Sequence, residues 1–208
     1  MKYLKYSITG SYFPKILGTY ELELHSIIMQ LTDYNFRQLV IVGAGEGYYA
    51  AGLSRYLKAP AVAYERNKES LKALEELCQL NALEPIEYRG ECKPASLDQL
   101  TQSLIVMDIE GEEIEFLNFG VIGKNHDCYW IIEVHGEKVK NAFTEQLDQI
   151  YELKFIACQQ RSMKDFPIRF GSLRMCLFKR YWFSLMQEWR GGGPDGSLGW
   201  LVLEPKVK

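Results

Sequence analysis

A short apolar run that ends in a cluster of glycines constrains the fold of this 208-residue chain more than any other feature. Residues 39–42 read Leu-Val-Ile-Val, which is typical of a strand buried on both faces of a parallel sheet, and Gly43, Gly45 and Gly47 follow directly. Apolar residues then recur at helical spacing through residues 48–57, so the glycines open a helix rather than a hairpin. This order predicts an α/β fold with a ligand-binding turn.

Strand and helix patterns alternate along the rest of the chain. Further strands are predicted at 61–65, 85–89, 103–109, 129–134, 154–158, 174–177 and 200–203, and helices at 22–31, 68–80, 96–100, 112–119 and 138–151. The alternation predicts a doubly wound, Rossmann-like sheet of about seven strands, mostly parallel, with helices on both faces. The length fits a single domain, in which residues 1–36 are a helical lead-in and residues 37–208 are the core.

The charge balance argues against nucleic acid as a partner, because the formal net charge is −3 and nucleic-acid-binding proteins usually carry an excess of Lys and Arg. One basic segment stands out at residues 164–180, with five Lys or Arg against one acid. It is either a solvated strand face or a rim for an anionic substrate. The glycine-rich segment 191–197 is either a plain connector or a lid. The sequence leaves a homo-oligomer open.

The cysteines and the hydropathy indicate where the protein works. The five cysteines are widely spaced and include no C-x-x-C pair, so neither a zinc knuckle nor a disulfide framework is indicated. No stretch reaches the roughly 18 to 20 apolar residues of a membrane helix, and no signal-peptide core begins the sequence. We therefore expect a cytoplasmic protein without a membrane segment, acting on a small-molecule substrate. The sequence singles out no metal ligands, and it leaves the need for a metal open.

The spacing of the glycines argues against a dinucleotide cofactor. A dinucleotide fold needs G-x-G-x-x-G, and Tyr48 stands where the third glycine would be. Glu65 ends the second predicted strand at about the interval where an acid accepts ribose hydroxyl protons. Two alternatives stay open: the glycines serve only close packing between strand and helix, and Glu65 is a surface acid paired with Arg66.

Acidic residues are densest where the strand at 103–109 ends. Asp108 and Glu110 lie at the mouth of that strand, and we expect them to be functional because ligands bind beyond the carboxyl ends of parallel strands. Glu112, Glu113 and Glu115 fall in the first turns of the next helix. There the helix dipole favours acids, so we expect no functional role for these three.

An acid and an imidazole end the next strand. Glu133 and His135 are two residues apart, so their side chains point to the same face of the strand. His135 is the candidate base near neutral pH, with a purely structural histidine as the alternative.

These motifs, in this order, resemble the FkbM-type branch of class I S-adenosylmethionine-dependent methyltransferases. Residues 40–50 are similar to the family's glycine loop, 63–67 to its ribose-binding strand end, and 107–113 to its hallmark D-x-E-G-x-E. Residues 131–136 are similar to the next strand, and Gly-Thr-Tyr-Glu at 18–21 resembles a lead-in motif of some relatives.

The resemblance covers about residues 17–136 and implies roles for residues at the strand ends. The implied cofactor-binding residues are Gly43, Ala44, Gly45, Gly47, Tyr48, Glu65, Arg66, Glu91, Cys92 and Asp108. Glu91 or Cys92 would border the adenine, and Asp108 would face the methionine end. Tyr20 or Tyr48 would attract the sulfonium through a cation–π contact. The family usually carries an acid where this chain has Ile41.

The resemblance implies O-methylation of a small hydroxylated metabolite or a sugar, with Asp108, Glu110 and His135 as the catalytic candidates. Because a hydroxyl acceptor must lose its proton, the reaction needs His135 or Glu110 as a base, or a metal held by the acids. The main rival is a non-catalytic Rossmann-like binding module with a degenerate cofactor site, marked by Ile41. A nicotinamide reductase is a third hypothesis, which Tyr48 disfavours.

Overall fold

The sheet has the strand order β3-β2-β1-β4-β5-β7-β6 in the computed structural model, which describes residues 1–118, 120–165, 179–188 and 198–206. The strands are β1 (Gln38–Val42), β2 (Ala61–Tyr64), β3 (Glu87–Arg89), β4 (Ser103–Met107), β5 (Tyr129–His135), β6 (Tyr151–Ala157) and β7 (Leu198–Pro205). Strands β1 to β5 pair in parallel, and β7 lies antiparallel between β5 and β6. The predicted seven-stranded, mostly parallel sheet is confirmed.

Helices cover both faces of this sheet. They are α1 (Tyr12–Leu17), α2 (His25–Gln30), α3 (Tyr48–Leu57), α4 (Lys68–Leu80), α5 (Glu113–Asn118), α6 (Val121–Lys124), α7 (Glu137–Leu147) and α8 (Lys179–Met186). Single turns of 3-10 helix lie at Leu22–Leu24, Leu31–Asp33, Pro94–Leu97 and Met163–Asp165. Within the described ranges, none of these helices has the length and apolar character to cross a membrane.

Most predicted elements are present, and some differ in extent or type. The helix predicted at 96–100 is only the 3-10 turn Pro94–Leu97. The helix predicted to reach residue 151 ends at Leu147, and Tyr151 begins β6. Helix α1 was not predicted because Pro14 interrupts its sequence, but a proline in the first turn of a helix removes no intrahelical hydrogen bond. The strand predicted at 174–177 and the loop at 191–197 lie outside the described residues, as does most of the basic segment.

The centre of the sheet is apolar on both faces. All five residues of β4 are buried, and so are four of the five residues of β1. The core on one face lies under α3 and α4, and the core on the other face lies under α5, α6 and α7. Polar chemistry in this part of the fold is therefore confined to the strand ends.

Two of the glycines after β1 adopt backbone conformations in which the side chain of any other residue would clash with its neighbours. Gly43 has φ of +78°, and a Cβ there would lie 1.7 Å from the carbonyl oxygen of Asp108. Gly47 has φ of +95°, and a Cβ there would lie 2.2 Å from Leu74 Cδ1 of α4. Gly43 thus lets the end of β1 lie against the end of β4, and Gly47 lets α3 pack on α4.

Candidate active site

A cleft of about 650 Å³ lies at the carboxyl ends of β1, β2, β4 and β5, where the fold predicts a ligand. The predicted site residues that line it are Gly43, Ala44, Gly45, Tyr48, Glu65, Arg66, Glu91, Cys92, Asp108, Glu110 and His135. Gly47 is the exception among the predicted residues, because it faces Leu74 rather than the cleft. The structure therefore brings the glycine turn, the end of β2 and the acids after β4 into one space.

Glu65 is held against the glycine turn. Its Oε2 accepts a hydrogen bond from the backbone N–H of Gly45 at 2.8 Å, and its Oε1 accepts one from the N–H of Asn67 at 2.7 Å. The alternative pairing of Glu65 with Arg66 is wrong, since Arg66 lies 3.2 Å from Glu112 in an exposed ion pair. The Glu65 carboxylate is therefore fixed at the cleft wall by backbone donors.

The N-terminal segment forms a wall of the cleft, of which the sequence predicted only Tyr20. Thr9, Gly10, Lys15 and Tyr20 line the cleft. Thr9 and Lys15 are held there by Glu46, which belongs to the glycine turn and was not among the predicted site residues. The wall therefore depends on a residue inside the glycine turn itself.

The contacts of Glu46 explain how it holds this segment. Its buried carboxylate accepts hydrogen bonds from Lys15 Nζ at 2.7 Å, from the Tyr3 hydroxyl at 2.7 Å and from the backbone N–H of Thr9 at 2.8 Å, and further ones from Ser7 and Ile8. Burial works against ionisation, but these donors hold the pKa of Glu46 below its ordinary value. We call this set of contacts the Glu46 anchor.

Two tyrosines make the cleft electron-rich beside the anchor. The ring centroids of Tyr20 and Tyr48 are 4.9 Å apart, and their planes meet edge to face at 74°. Lys15 Nζ lies 5.0 Å from the centroid of the Tyr20 ring. Both tyrosines line the cleft, so the two residues predicted to attract a sulfonium are at a place where they can do so.

In the same cleft, the ends of β4 and β5 place three ionisable side chains together. Asp108, Glu133 and His135 each present one oxygen or nitrogen atom within 4.8 Å of the others. Asp108 Oδ1 is shielded from solvent and has no hydrogen-bond partner among the residues that the structure describes. Burial and the neighbouring Glu133 raise the pKa of Asp108 well above its ordinary value. We call these three residues the acidic end.

Glu113 orients the imidazole of the acidic end. Its Oε1 lies 3.1 Å from His135 Nδ1 and accepts hydrogen bonds from the backbone N–H groups of Ile109 and Gly111, each at 3.2 Å. The hydrogen bond to Glu113 raises the pKa of His135. Despite burial, the donors around Glu113 hold its pKa below the ordinary value.

Glu113 therefore has contacts beyond the helix dipole that the sequence did not predict. Glu113 does begin α5, but its side chain is fully buried beneath the cleft. Glu112 and Glu115 are exposed, as expected for acids in the first turns of a helix. Glu110 is also largely exposed, and its Oε2 lies 3.4 Å from His135 Nε2.

Ile41 contributes apolar surface to the cleft. Its side chain is buried, and it lies beside Ala63 of β2 and Val106 of β4 in the sheet. The cleft therefore offers no carboxylate at the position where the resembling family usually carries one.

Comparisons with known proteins give the fold but no family. No protein-family model matches the sequence, and no curated protein matches it either. Among solved structures, a precorrin-6y C5,15-methyltransferase from Geobacter metallireducens is 12% identical, with a TM-score of 0.60 over 100% of this chain and 94% of that chain. An S-adenosylmethionine-dependent O-methyltransferase from Thermotoga maritima is 12% identical, with a TM-score of 0.60 over 96% of this chain and 68% of that chain.

A third structure has the same fold and a different reaction in its name. It is a precorrin 8W decarboxylase from Methanobacterium thermoautotrophicum, 18% identical, with a TM-score of 0.57 over 89% of this chain and 90% of that chain. Structural similarity at such low sequence identity shows a shared backbone fold and does not show a shared reaction. The chain has the Rossmann-like fold that these three structures share.

Proposed function

We propose that this chain is an S-adenosylmethionine-dependent methyltransferase that methylates a hydroxyl oxygen of a small metabolite or sugar. The observation that supports this most is the single cleft that joins the glycine turn and Glu65 to the acidic end. The order of the motifs, above all D-x-E-G-x-E at residues 108–113, supports a place in the FkbM-type branch. The fold shared with a solved O-methyltransferase agrees with this proposal.

The residues present fit this cofactor. The turn brings backbone to the cleft at Gly43, where there is no room for a side chain, and Glu65 offers carboxylate oxygens that can accept ribose hydroxyl protons. Glu91 and Cys92 line the cleft after β3, where they would border the adenine. Tyr20 and Tyr48 would lie near the sulfonium.

The chain's own residues then have two tasks. S-adenosylmethionine supplies an electrophilic methyl group on a positively charged sulfur. The cleft must hold the acceptor oxygen close and in line, which is the larger part of the catalysis. The acidic end must also remove the hydroxyl proton, and His135 and the adjacent Glu110 are the groups placed to do so, either directly or by activating the oxygen.

We also propose that the chain is a single catalytic domain that works in a reducing cytoplasm. Cys78, Cys92 and Cys128 form no disulfide, which supports this location.

Binding of S-adenosylhomocysteine tests the cofactor part of the proposal. We expect calorimetry to show one equivalent bound to the wild type. Because hydrogen bonds to a charged acceptor contribute about 1.5 to 3 kcal/mol, Glu65→Gln should weaken binding by about 10-fold to 100-fold. The matched control is Glu69→Gln, an exposed acid in the first turn of α4, which should leave the affinity unchanged.

Incubation with labelled S-adenosylmethionine and a panel of hydroxylated metabolites tests the reaction. The proposal predicts label in an ether methyl group of at least one acceptor. Absence of any binding of S-adenosylmethionine or S-adenosylhomocysteine would refute the proposal. Thermal stabilisation by a polyanion or protein partner alone would then favour the binding module, and stabilisation by NADH would favour the reductase.

A further inference from the structure

The acidic end has the geometry of a ligand set for one ion. The three ligand atoms of Asp108, Glu133 and His135 lie within 4.8 Å of one another. Two atoms that each lie about 2.1 Å from a shared metal ion are about 3 to 4 Å apart. Small side-chain rotations would therefore bring all three onto one ion.

The Asp108 carboxyl group has one oxygen whose hydrogen-bonding capacity the described protein does not satisfy. Asp108 Oδ1 is shielded from solvent and, within the described ranges, has no hydrogen-bond donor. Buried polar atoms are normally satisfied by the protein, by water or by an ion, and a buried carboxylate beside a second carboxylate favours a cation. The buried Glu133 supplies that second carboxylate.

The histidine is oriented as a metal ligand would be. Glu113 accepts from Nδ1–H of His135, and this fixes the proton of the neutral imidazole on Nδ1. The lone pair on Nε2 then points towards the acids, with Glu133 Oε2 at 3.6 Å. A carboxylate behind the distal nitrogen is the usual support of a metal-binding histidine. Glu113 is itself held by two backbone N–H groups.

We propose that Asp108, Glu133 and His135 Nε2 bind a divalent cation of the Mn²⁺ or Zn²⁺ class, with Glu113 as a positioning residue. Carboxylate oxygens suit Mn²⁺, and an imidazole nitrogen favours first-row transition metals over Mg²⁺ or Ca²⁺. Three protein ligands leave coordination positions open on the side of the cleft.

The role of this cation rests on the proposed function, whereas its binding does not. A hydroxyl oxygen bound to the cation would release its proton to solvent more readily. That oxygen would then form a bond to the methyl carbon as the carbon–sulfur bond breaks, with the electron pair of that bond remaining on sulfur.

Titration of the full chain with each metal tests the site. Protein treated with a chelator is titrated with MnCl2 and, separately, with ZnCl2 in a calorimeter, and we expect one equivalent of at least one of them to bind. Glu133→Gln and His135→Gln should each weaken binding by at least about tenfold, and Glu113→Gln by about 10-fold to 100-fold. The control is His126→Gln, an exposed histidine outside the cleft, which should bind like the wild type.

Electron paramagnetic resonance of Mn²⁺ gives a second readout that does not depend on the variants. Binding to the wild type should remove the signal of free Mn²⁺, and Zn²⁺ should restore it by competition. Glu113→Gln should change the spectrum of bound Mn²⁺, which a purely structural role for Glu113 would leave unaltered. The proposal is overturned if neither ion binds the wild type, or if correctly folded Glu133→Gln and His135→Gln bind as tightly as it does.

A parallel titration with S-adenosylhomocysteine keeps the two proposals distinguishable. If the metal-free protein binds S-adenosylhomocysteine but neither ion, the cation site fails and the methyltransferase proposal stands. If an ion binds and S-adenosylhomocysteine does not, the cation site stands and the methyltransferase proposal fails.

Discussion

The Glu46 anchor and the acidic end differ in how they satisfy a carboxyl group at the cleft. At the Glu46 anchor, the Glu46 side chain is fully buried and the Lys15 side chain is 2% exposed, and donors from the N-terminal segment satisfy the carboxylate. At the acidic end, Asp108 Oδ1 has no donor among the described residues, and a second carboxylate lies beside it. A buried polar group with its full set of partners holds the fold together, whereas one without them leaves an interaction for a ligand to make.

The largest expected effect comes from breaking the anchor. Glu46→Gln leaves the Lys15 ammonium buried without its counter-charge, and removal of one partner of a buried ion pair typically costs about 3 to 5 kcal/mol. We expect a loss of that size in the free energy of unfolding, measured by urea titration.

Two further variants separate this effect from a general loss of charge. Glu112→Gln breaks the exposed pair with Arg66, whose side chains are 54% and 65% exposed, and it should cost less than about 1 kcal/mol. Lys15→Met combined with Glu46→Gln should lose less than Glu46→Gln alone, since no unpaired ammonium remains. A loss below about 1 kcal/mol in Glu46→Gln would mean that the anchor does not hold the wall of the cleft.

Acid should weaken the anchor in the wild type. The pKa of Glu46 in the folded protein is below its ordinary value of 4.5. Its ionisation therefore stabilises the fold fully above the unfolded pKa, and this contribution is lost as the pH falls through the folded value.

The difference in the free energy of unfolding between the wild type and Glu46→Gln should thus be largest near neutral pH and shrink below pH 4.5. Urea titrations of both proteins at several pH values measure it, and every other titrating group cancels in the comparison. A difference that stays constant into acid would contradict the assignment of the lowered pKa to Glu46.

The sequence predicted the sheet and the acidic end well because both depend on local pattern. The apolar runs of β1 and β4 mark buried parallel strands, and the ends of such strands meet at one edge. Asp108, Glu133 and His135 could therefore be expected in one cleft without knowledge of any tertiary contact.

The sequence did not predict the anchor or Glu113, because both depend on contacts between distant segments. Lys15 meets Glu46 across 31 positions of the chain, and no periodicity encodes such a pairing. Glu113 occupies a helix start, where acids are usually exposed. Only the turn through Ile109 and Gly111 buries it against His135 from the next strand. At both places, tertiary contacts determine whether the acid is buried, and the local sequence does not indicate those contacts.

At the acidic end, we expect a substitution to raise the free energy of unfolding, whereas Glu46→Gln lowers it. In the protein without ligand, burial and Glu133 favour a protonated Asp108, and Asp108→Asn places there an amide that can donate to Glu133 without binding a proton. We expect urea titration at neutral pH to show a gain of about 1 kcal/mol in the free energy of unfolding. The control Asp33→Asn, at an exposed acid, should stay within about 0.5 kcal/mol of the wild type.

The methyl-transfer activity of the same variant should fall although its stability rises. The amide of asparagine carries no negative charge and is a weaker cation ligand than a carboxylate. Asp108→Asn should therefore lose methyl transfer while it gains stability. A variant that gains stability and loses activity indicates a residue that serves the reaction and lowers the stability of the fold. A loss of stability in Asp108→Asn as large as that of Glu46→Gln would show instead that both carboxylates are structural, and the contrast between the Glu46 anchor and the acidic end would not hold.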